Sequence, residues 1–325
     1  MGTQITIIGM NVTGASIGMA LGAYKEEIIR VGVDRNKDLL KKAEKSGAVD
    51  KTSMNVPSAI NGSDIIILAE PLDQLLETLD IICGDLNPSV HLFDVSGVKQ
   101  AINLHLSKVA TDFHNHINCS LVVNPDNMLS MSASLDDARA DLFKAGLMVV
   151  GIPEGTSKET VDLVGTLSRL LEMRVMFSEP VEMDGFQSAV NYLPQILATT
   201  LLNVAGSQAG WRDSQKLVNA PFMVPVSSVQ MLPEGASASS EWLADKDNLI
   251  RYIDLVTQEL LELRSELKSD DSQLLTERVN VAKEIYSNLL MQRMKGDLAD
   301  NGQEKIHFPS SGEALRDLFT FGRKK

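Results

Sequence analysis

A glycine-containing turn near the amino terminus carries the clearest chemical pattern in the sequence. Gly9, Asn11 and Gly14 follow a short β-branched run with the spacing of the phosphate-binding motif G-x-G-x-x-G. The glycines of that motif let the backbone approach a pyrophosphate, and an acidic residue about 20 positions further on, here Asp34, binds a ribose hydroxyl. The pattern predicts a dinucleotide site with one departure, because Asn11 stands where the motif has its middle glycine.

Two details of this predicted site stay open at the level of sequence. Asn tolerates a left-handed backbone better than most residues, and this tolerance could absorb the substitution at Asn11. Asp34 favours NAD through the ribose hydroxyl, whereas Arg35 beside it could pair with the 2′-phosphate of NADP. We expect NAD, with NADP as the alternative.

Strands and helices alternate through the first half of the chain, and these elements must position the turn. Apolar runs rich in β-branched residues predict strands at 5–8, 28–33, 64–69, 90–95, 120–123, 147–152 and 174–177. Amphipathic segments between the strands predict helices. This alternation indicates an α/β fold with a doubly wound Rossmann-type sheet, which binds ligands at the carboxyl ends of its strands.

The second half of the sequence changes to long helical segments. Residues 183–208 carry no charge after Asp184, so we expect a buried helix between subunits or against the sheet. Its polar residues Asp184, Ser188, Asn191 and Gln195 recur at helical spacing and should share one face. That face could line a substrate cleft, or it could face water or a partner helix. Pro194 should kink the helix.

The length and the change of pattern predict a two-domain organisation. We expect a dinucleotide-binding domain at 1–178, a helical substrate and dimerisation domain at 179–297, and a polar carboxy-terminal tail at 298–325. The helical domain should contain further amphipathic helices at 248–267 and 274–294, preceded by a mobile loop at 235–240.

Composition narrows the class of partner. A net charge of −13 at pH 7 argues against a nucleic-acid or anionic-membrane surface and favours a small-molecule ligand. The 2 cysteines lie far apart in apolar segments, which suits buried thiols in a cytoplasmic protein. No apolar run is long enough to span a membrane. His114 and His116 lack a third ligand, so no metal site is expected.

Short motifs along residues 3 to about 220 resemble those of the prephenate/arogenate dehydrogenase family. They lie, in the order of the family, at 9–18, 33–35, 68–71, 94–99, 124–125, 182–184, 190–195 and 211–213. The resemblance implies NAD(P)-dependent oxidative decarboxylation of a cyclohexadienyl acid in tyrosine biosynthesis. Independently of the resemblance, the apolar helical segment leads us to expect a homodimer joined through the helical domain. It also implies cofactor contacts at Gly9, Asn11, Val12, Gly14, Asp34, Arg35, Ala69, Pro71 and Ser96.

The chain departs from the family at its ionisable positions. The family histidine that takes the proton of the substrate hydroxyl is Asn124 here, and the His-Leu-Pro-His motif reads Tyr192, Leu193, Pro194 and Gln195. A family His-Asp reads Met183 and Asp184, a family serine reads Gly97, and the arginine that binds the substrate carboxylate reads Lys216. The candidate catalytic residues are therefore Asn124, Gln195, Tyr192 and Lys216.

Loss of a general base lowers a rate by roughly 10²- to 10⁴-fold, so two hypotheses remain. In the first, aromatisation of the product drives a slow dehydrogenase, with Lys99, Arg212 and Lys216 as cations for a dianionic substrate. In the second, the chain is a catalytically impaired homologue that acts as a nucleotide-binding regulatory or structural dimer.

Overall fold

Eight strands form one sheet in the computed structural model, which describes residues 2–128, 134–151, 157–233 and 236–295. The strands are β1 (Thr3–Ile8), β2 (Ile28–Val33), β3 (Lys51–Ser53), β4 (Ile65–Leu68), β5 (His91–Asp94), β6 (His116–Val122), β7 (Leu147–Gly151) and β8 (Arg174–Phe177). Their order is β3-β2-β1-β4-β5-β6-β7-β8, and all neighbours are parallel except β6 and β7. The predicted Rossmann-type α/β fold is confirmed.

The helices of the sheet region cover both faces. They are α1 (Val12–Leu21), α2 (Lys37–Lys45), α3 (Val56–Ile60), α4 (Leu72–Ile82), α5 (Gln100–Val109) and α6 (Lys158–Leu170). One core packs α1, α2 and α6 against the sheet, and the other packs α3, α4 and α5 against the opposite face. The central strands are apolar on both sides, as parallel strands buried between two helix layers must be.

Three strand assignments differ from the sequence predictions. β3 was not predicted, because its three residues Lys-Thr-Ser are polar and only pair at the edge of β2. β6 begins at His116 rather than at residue 120, because its first residues alternate polar and apolar side chains. β7 runs antiparallel to β6, so the parallel winding ends at β6.

Every described element after β8 is helical. These helices are α7 (Pro180–Gln187), α8 (Leu193–Gly206), α9 (Trp211–Ser214), α10 (Ala220–Val226), α11 (Ser237–Ala244), α12 (Lys246–Lys268) and α13 (Ser272–Lys295). The loop predicted at 235–240 is wrong from Ser237 onward, where α11 begins. Serine hydroxyls of that segment bond back to carbonyls three residues earlier, which is compatible with a helix. Residue 235 and the predicted tail lie outside the described residues. Among the described helices, none is long and apolar enough to cross a membrane.

A π-helical turn, Ser188–Tyr192, joins α7 to α8 directly before Pro194. This wider turn shifts the helical register, so the four polar residues predicted to share one face do not share one environment. Asp184 and Ser188 are buried, Gln195 is half-buried and Asn191 is exposed. The expectation that this segment is buried holds for Met183 and Asp184 in α7 and for Ser188 and Tyr192 in the π-helical turn. It does not hold for α8, which buries only Ala198.

Asp184 connects the helical region to the sheet region. Its Oδ1 accepts from the backbone N–H of Lys99 at 2.6 Å, and its Oδ2 accepts from that of Gln100 at 3.0 Å. The carboxylate is 2% exposed and caps the amino terminus of α5 from another part of the chain. Burial raises the pKa of Asp184, and the two donated hydrogen bonds oppose that rise.

We expect Asp184→Ala to lower the free energy of unfolding by about 1–3 kcal/mol, because two amides at the start of α5 lose a buried acceptor. Asp184→Asn should cost less, because its carbonyl oxygen can still accept one bond. Urea unfolding measures both. Glu182→Gln, an exposed change on the same helix, is the control, and an Asp184→Ala variant as stable as this control would contradict the capping role.

Candidate active site

The carboxyl ends of β1, β2, β4, β5 and β6 meet at one edge of the sheet. Residues of the loops that follow these strands are the sequence-predicted cofactor contacts and Asn124. The parallel order of the strands places these loops side by side, which is where open α/β sheets bind ligands.

The turn after β1 requires its two glycines. Gly9 has φ +99°, and a Cβ there would lie 2.8 Å from the carbonyl carbon of Ala69. A Cβ on Gly14 would lie 2.1 Å from the carbonyl oxygen of Gly9. The backbone therefore adopts the close turn that the dinucleotide motif predicts, with Val12 as the first residue of α1.

Asn11 does not use the left-handed backbone that the sequence allowed for it. Its φ is −83° and its ψ is −174°, and its side chain is the N-cap of α1. The Oδ1 atom accepts from the N–H groups of Thr13 and Gly14, each at 3.0 Å, and Nδ2 donates to the Ala69 carbonyl at 2.5 Å. Pyrophosphates commonly bind at the amino terminus of a helix, so a bound pyrophosphate would compete with Asn11 for these amides.

Asp34 is held beside the turn by backbone donors. Its Oδ2 accepts from the Met10 N–H at 2.8 Å, and its Oδ1 accepts from the Asn36 N–H at 2.7 Å. These bonds use only part of the accepting capacity of a carboxylate. Asp34 can therefore also accept a hydrogen bond from a ribose hydroxyl.

Arg35 is held by the first turns of α4. Its guanidinium donates to Glu77 Oε2 at 2.6 Å and to the Gln74 carbonyl at 3.2 Å, and its Nε lies 4.0 Å from Glu70 Oε1. A 2′-phosphate at this position would meet these carboxylates and Asp34. This arrangement favours NAD over NADP.

Glu70, which follows β4, is a buried carboxyl whose chemistry the sequence reading missed. It is 5% exposed, and its Oε2 accepts from the Thr78 hydroxyl at 2.6 Å. Burial raises the pKa of Glu70 from 4.5 to about 7, against the opposing effects of the Thr78 hydrogen bond and the Arg35 charge. The signal in the sequence was an acidic residue between an apolar strand and Pro71.

Lys99 is not available to a substrate, contrary to the expectation from the sequence. Its ammonium is fully buried and donates to Asp94 Oδ2 at 3.2 Å, to the Asp94 carbonyl at 3.1 Å and to the Ser96 carbonyl at 2.7 Å. These three acceptors satisfy its donors. The Ser96 hydroxyl is buried and has no hydrogen-bond partner among the described residues, so it can serve a ligand at this edge.

Tyr192 fills the space beside Gly97, at the end of β5. A Cβ on Gly97 would lie 2.0 Å from the Tyr192 hydroxyl oxygen, and Tyr192 is 2% exposed. Burial first, and the nearby Glu241 carboxylate second, raise the pKa of the Tyr192 phenol well above its usual value of 10. Tyr192 therefore stays protonated and can donate a hydrogen bond, but it cannot act as a base.

Two of the other three candidate catalytic residues, Asn124 and Lys216, have structural bonds of their own. The Asn124 Oδ1 accepts from the Asp126 N–H at 2.9 Å and caps the short turn after β6. Gln195 is half-buried on α8. Lys216 is 69% exposed and pairs with Asp213 at 2.7 Å, so its described contacts do not bring it to the strand ends. Within the described part of the chain, no three His, Cys, Asp or Glu side chains are arranged to hold a metal.

We expect Glu70→Gln to gain stability relative to the native protein as pH rises from about 4.5 to about 7. The unfolded chain ionises Glu70 in this interval while the fold keeps it protonated, so the native protein loses stability that the variant keeps, on the order of 3 kcal/mol at most. Urea unfolding at several pH values measures the difference. Glu44→Gln, an exposed change, should show no such trend, and parallel pH profiles for native protein and Glu70→Gln would refute a buried neutral carboxyl.

We expect Gly97→Ala and Tyr192→Phe to be coupled. Gly97→Ala alone should cost about 1–3 kcal/mol through overpacking, and removal of the phenol oxygen should recover about 1 kcal/mol or more of that cost in the double variant. Chemical denaturation of the four proteins measures the coupling. Gly84→Ala is the control because nothing lies within 4 Å of a Cβ there. Additive effects would show that the two positions are independent.

Comparison with known proteins agrees with this geometry. Residues 17–177 match the family model for the nucleotide-binding domain of prephenate dehydrogenase. Prephenate dehydrogenase of Bacillus subtilis (strain 168) is 20% identical over 301 residues, which cover 91% of this chain and 78% of that protein.

Two solved structures share the fold. The prephenate dehydrogenase of Aquifex aeolicus, in complex with hydroxyphenyl propionate and NAD+, has a TM-score of 0.77 at 16% identity and covers 89% of this chain and 99% of its own. Synechocystis arogenate dehydrogenase has a TM-score of 0.66 at 19% identity and covers 87% and 100%. The family match covers the sheet region from residue 17 onward, including the motifs at 33–35, 68–71, 94–99 and 124–125. The sheet region of this chain therefore belongs to the prephenate dehydrogenase family.

Proposed function

We propose that the protein is an NAD-dependent oxidoreductase that oxidatively decarboxylates a cyclohexadienyl acid such as prephenate or arogenate. The observation that carries this proposal is the close glycine turn at Gly9 and Gly14 beside a backbone-anchored Asp34, in a chain of this family. These features suit a pyrophosphate and an adenosine ribose respectively. The substrate is a small carboxylic acid.

The described residues fit the dinucleotide once one side chain moves. Gly9, Asn11, Val12 and Gly14 would surround the pyrophosphate, and Asp34 would accept from the ribose. Ala69, Pro71 and Ser96 would line the path toward β5, where the orphaned Ser96 hydroxyl offers a hydrogen bond. Asn11 would have to release the amides of Thr13 and Gly14. Bound NAD supplies the hydride acceptor of the reaction.

The remaining chemistry belongs to side chains that hold the substrate hydroxyl. Asn124 and Gln195 can each hydrogen-bond that hydroxyl, but neither amide accepts its proton near neutral pH. Loss of carbon dioxide makes the product ring aromatic, so the reaction has its own driving force. We expect turnover roughly 10²- to 10⁴-fold slower than a general base would allow.

A second candidate function is supported by Asn11 and Tyr192. Asn11 already satisfies amides at the start of α1, and Tyr192 occupies the space next to the position where the family has a serine. Asn11 would compete with a pyrophosphate for these amides, and Tyr192 would reduce the space for a substrate. The alternative is a catalytically impaired homologue that acts as a regulatory or structural dimer.

We further propose a homodimer formed through a helical domain at 179–297, following a dinucleotide-binding domain at 1–178. Support comes from α8, where Leu197, Leu201 and Val204 are 40%, 39% and 56% exposed within a single chain. Apolar residues so exposed are suited to a subunit interface. Cys83 and Cys119 are both free thiols, which agrees with a cytoplasmic protein.

Titration with NAD and NADP, followed by an assay with prephenate or arogenate, tests the function. Absorbance of the reduced nicotinamide reports turnover. We expect NAD to bind more tightly than NADP, and Asn11→Gly to bind NAD about tenfold more tightly than native protein because the helix amides become available. Asn124→His should raise the turnover rate by supplying a proton acceptor.

The variants separate the two candidate functions. If native protein binds NAD without turnover and the Asn124→His variant turns over, the chain has a dinucleotide site and an impaired catalytic residue. Native protein and Asn11→Gly that both fail to bind either dinucleotide would overturn the oxidoreductase assignment. Asn61→Gly, a change at the end of α3, controls for general effects of an Asn-to-Gly change.

A further inference from the structure

A buried arginine from the end of the described chain reaches the turn that carries Asn124. Arg293 lies in the last turns of α13 and is 9% exposed. Its Nη2 donates to the carbonyl of Val123 at 3.1 Å, and its Nε donates to Met128 Sδ at 3.1 Å. The guanidinium therefore contacts the loop on both sides of Asn124, at the carboxyl end of β6.

No carboxylate compensates this cation within the described residues. Buried arginines are normally paired, because an isolated buried charge costs several kcal/mol. The ion pairs of the described chain do not include Arg293, and the one nearby charge that shifts its pKa is another cation, Arg174. Burial and Arg174 both lower the pKa of Arg293. A buried guanidinium with no carboxylate partner among the described residues makes an anion favourable at this strand end.

The sheet register explains why Arg174 lies nearby. Val122 on β6 pairs with Leu147 on β7, and Leu147 pairs with Arg174 on β8. The antiparallel step between β6 and β7 brings the start of β8 to the carboxyl end of β6. Arg174 and Arg293 therefore lie at the same end of the sheet, whereas the region around Tyr192 contains carboxylates such as Glu241 and Asp184.

We propose that Arg293 binds the side-chain carboxylate of the substrate, in the role that the family gives to an arginine at the position of Lys216. This proposal rests on the proposed function. A guanidinium has five N–H donors, and its hydrogen bonds to described residues use two of them. The remaining donors suit a bidentate contact with a carboxylate.

A dicarboxylic substrate has one carboxylate on the ring, which is lost as carbon dioxide, and one on the side chain, which the product retains. The side-chain carboxylate is the more suitable ligand for Arg293. A strong ion pair with the ring carboxylate would stabilise the ground state and oppose its loss as carbon dioxide. The side-chain carboxylate keeps its charge throughout the reaction. Arg293 can hold it without raising the barrier.

Binding of 3-(4-hydroxyphenyl)propionate and of its uncharged amide, measured by calorimetry with and without NAD, tests the proposal. Native protein should prefer the carboxylate to the amide. Arg293→Gln should bind the carboxylate about tenfold to a hundredfold more weakly and bind the amide unchanged, because glutamine can still donate to the Val123 carbonyl. Arg293→Lys should retain part of the preference.

Controls separate binding from folding and from the proposed function. Lys283→Gln removes an exposed charge from the same helix and should leave both affinities unchanged. Equal weakening of carboxylate and amide by Arg293→Gln would mean that Arg293 only anchors α13, and the proposal would fail. It would also fail if native protein bound neither ligand. Failure to bind NAD, with the carboxylate preference intact, would instead overturn the oxidoreductase assignment.

Discussion

The Asp184 carboxylate holds the helical region against the strand ends, and the geometry of the site depends on it. It caps α5 through the amides of Lys99 and Gln100, while the Lys99 ammonium is buried against Asp94. β5, α5 and α7 therefore share one buried network of charges. The π-helical turn after α7 then brings Tyr192 to Gly97. Because charges in such a network need all of their partners, the positions of these elements are set together.

Two of the departures from the family are physically linked. A side chain at position 97 would clash with the tyrosine at position 192. The replacement of the family serine by Gly97 and of a family histidine by Tyr192 are therefore physically coupled. Carboxylates around Tyr192 make that side of the site unfavourable for an anion, whereas Arg293 makes the end of β6 favourable. Negative charge therefore lies on the Tyr192 side of the site, and positive charge lies at the end of β6.

Asn11 shows a conflict between local stability and ligand binding. As the N-cap of α1 it satisfies amides that would otherwise lack a partner, which stabilises the empty turn. The same amides are the ones that a pyrophosphate would use. Affinity for a dinucleotide is therefore reduced by whatever free energy the cap contributes to the fold.

Patterns of neighbouring residues in the sequence determined the central strands and the glycine turn of this protein. Apolar runs specified the central strands, because parallel strands buried on both faces must be apolar throughout, and glycine spacing specified the turn at Gly9 and Gly14. Tertiary structure alone decided the partners of the charges. The sequence predicts Lys99 as a substrate cation, but packing buries its ammonium against Asp94, only five residues earlier. Arg293 looks like an ordinary helix residue in the sequence, but in the fold α13 packs on the loop after β6. A sequence pattern encodes backbone geometry over a few turns, but whether a charge is buried or free to meet a ligand depends on how the segments pack together.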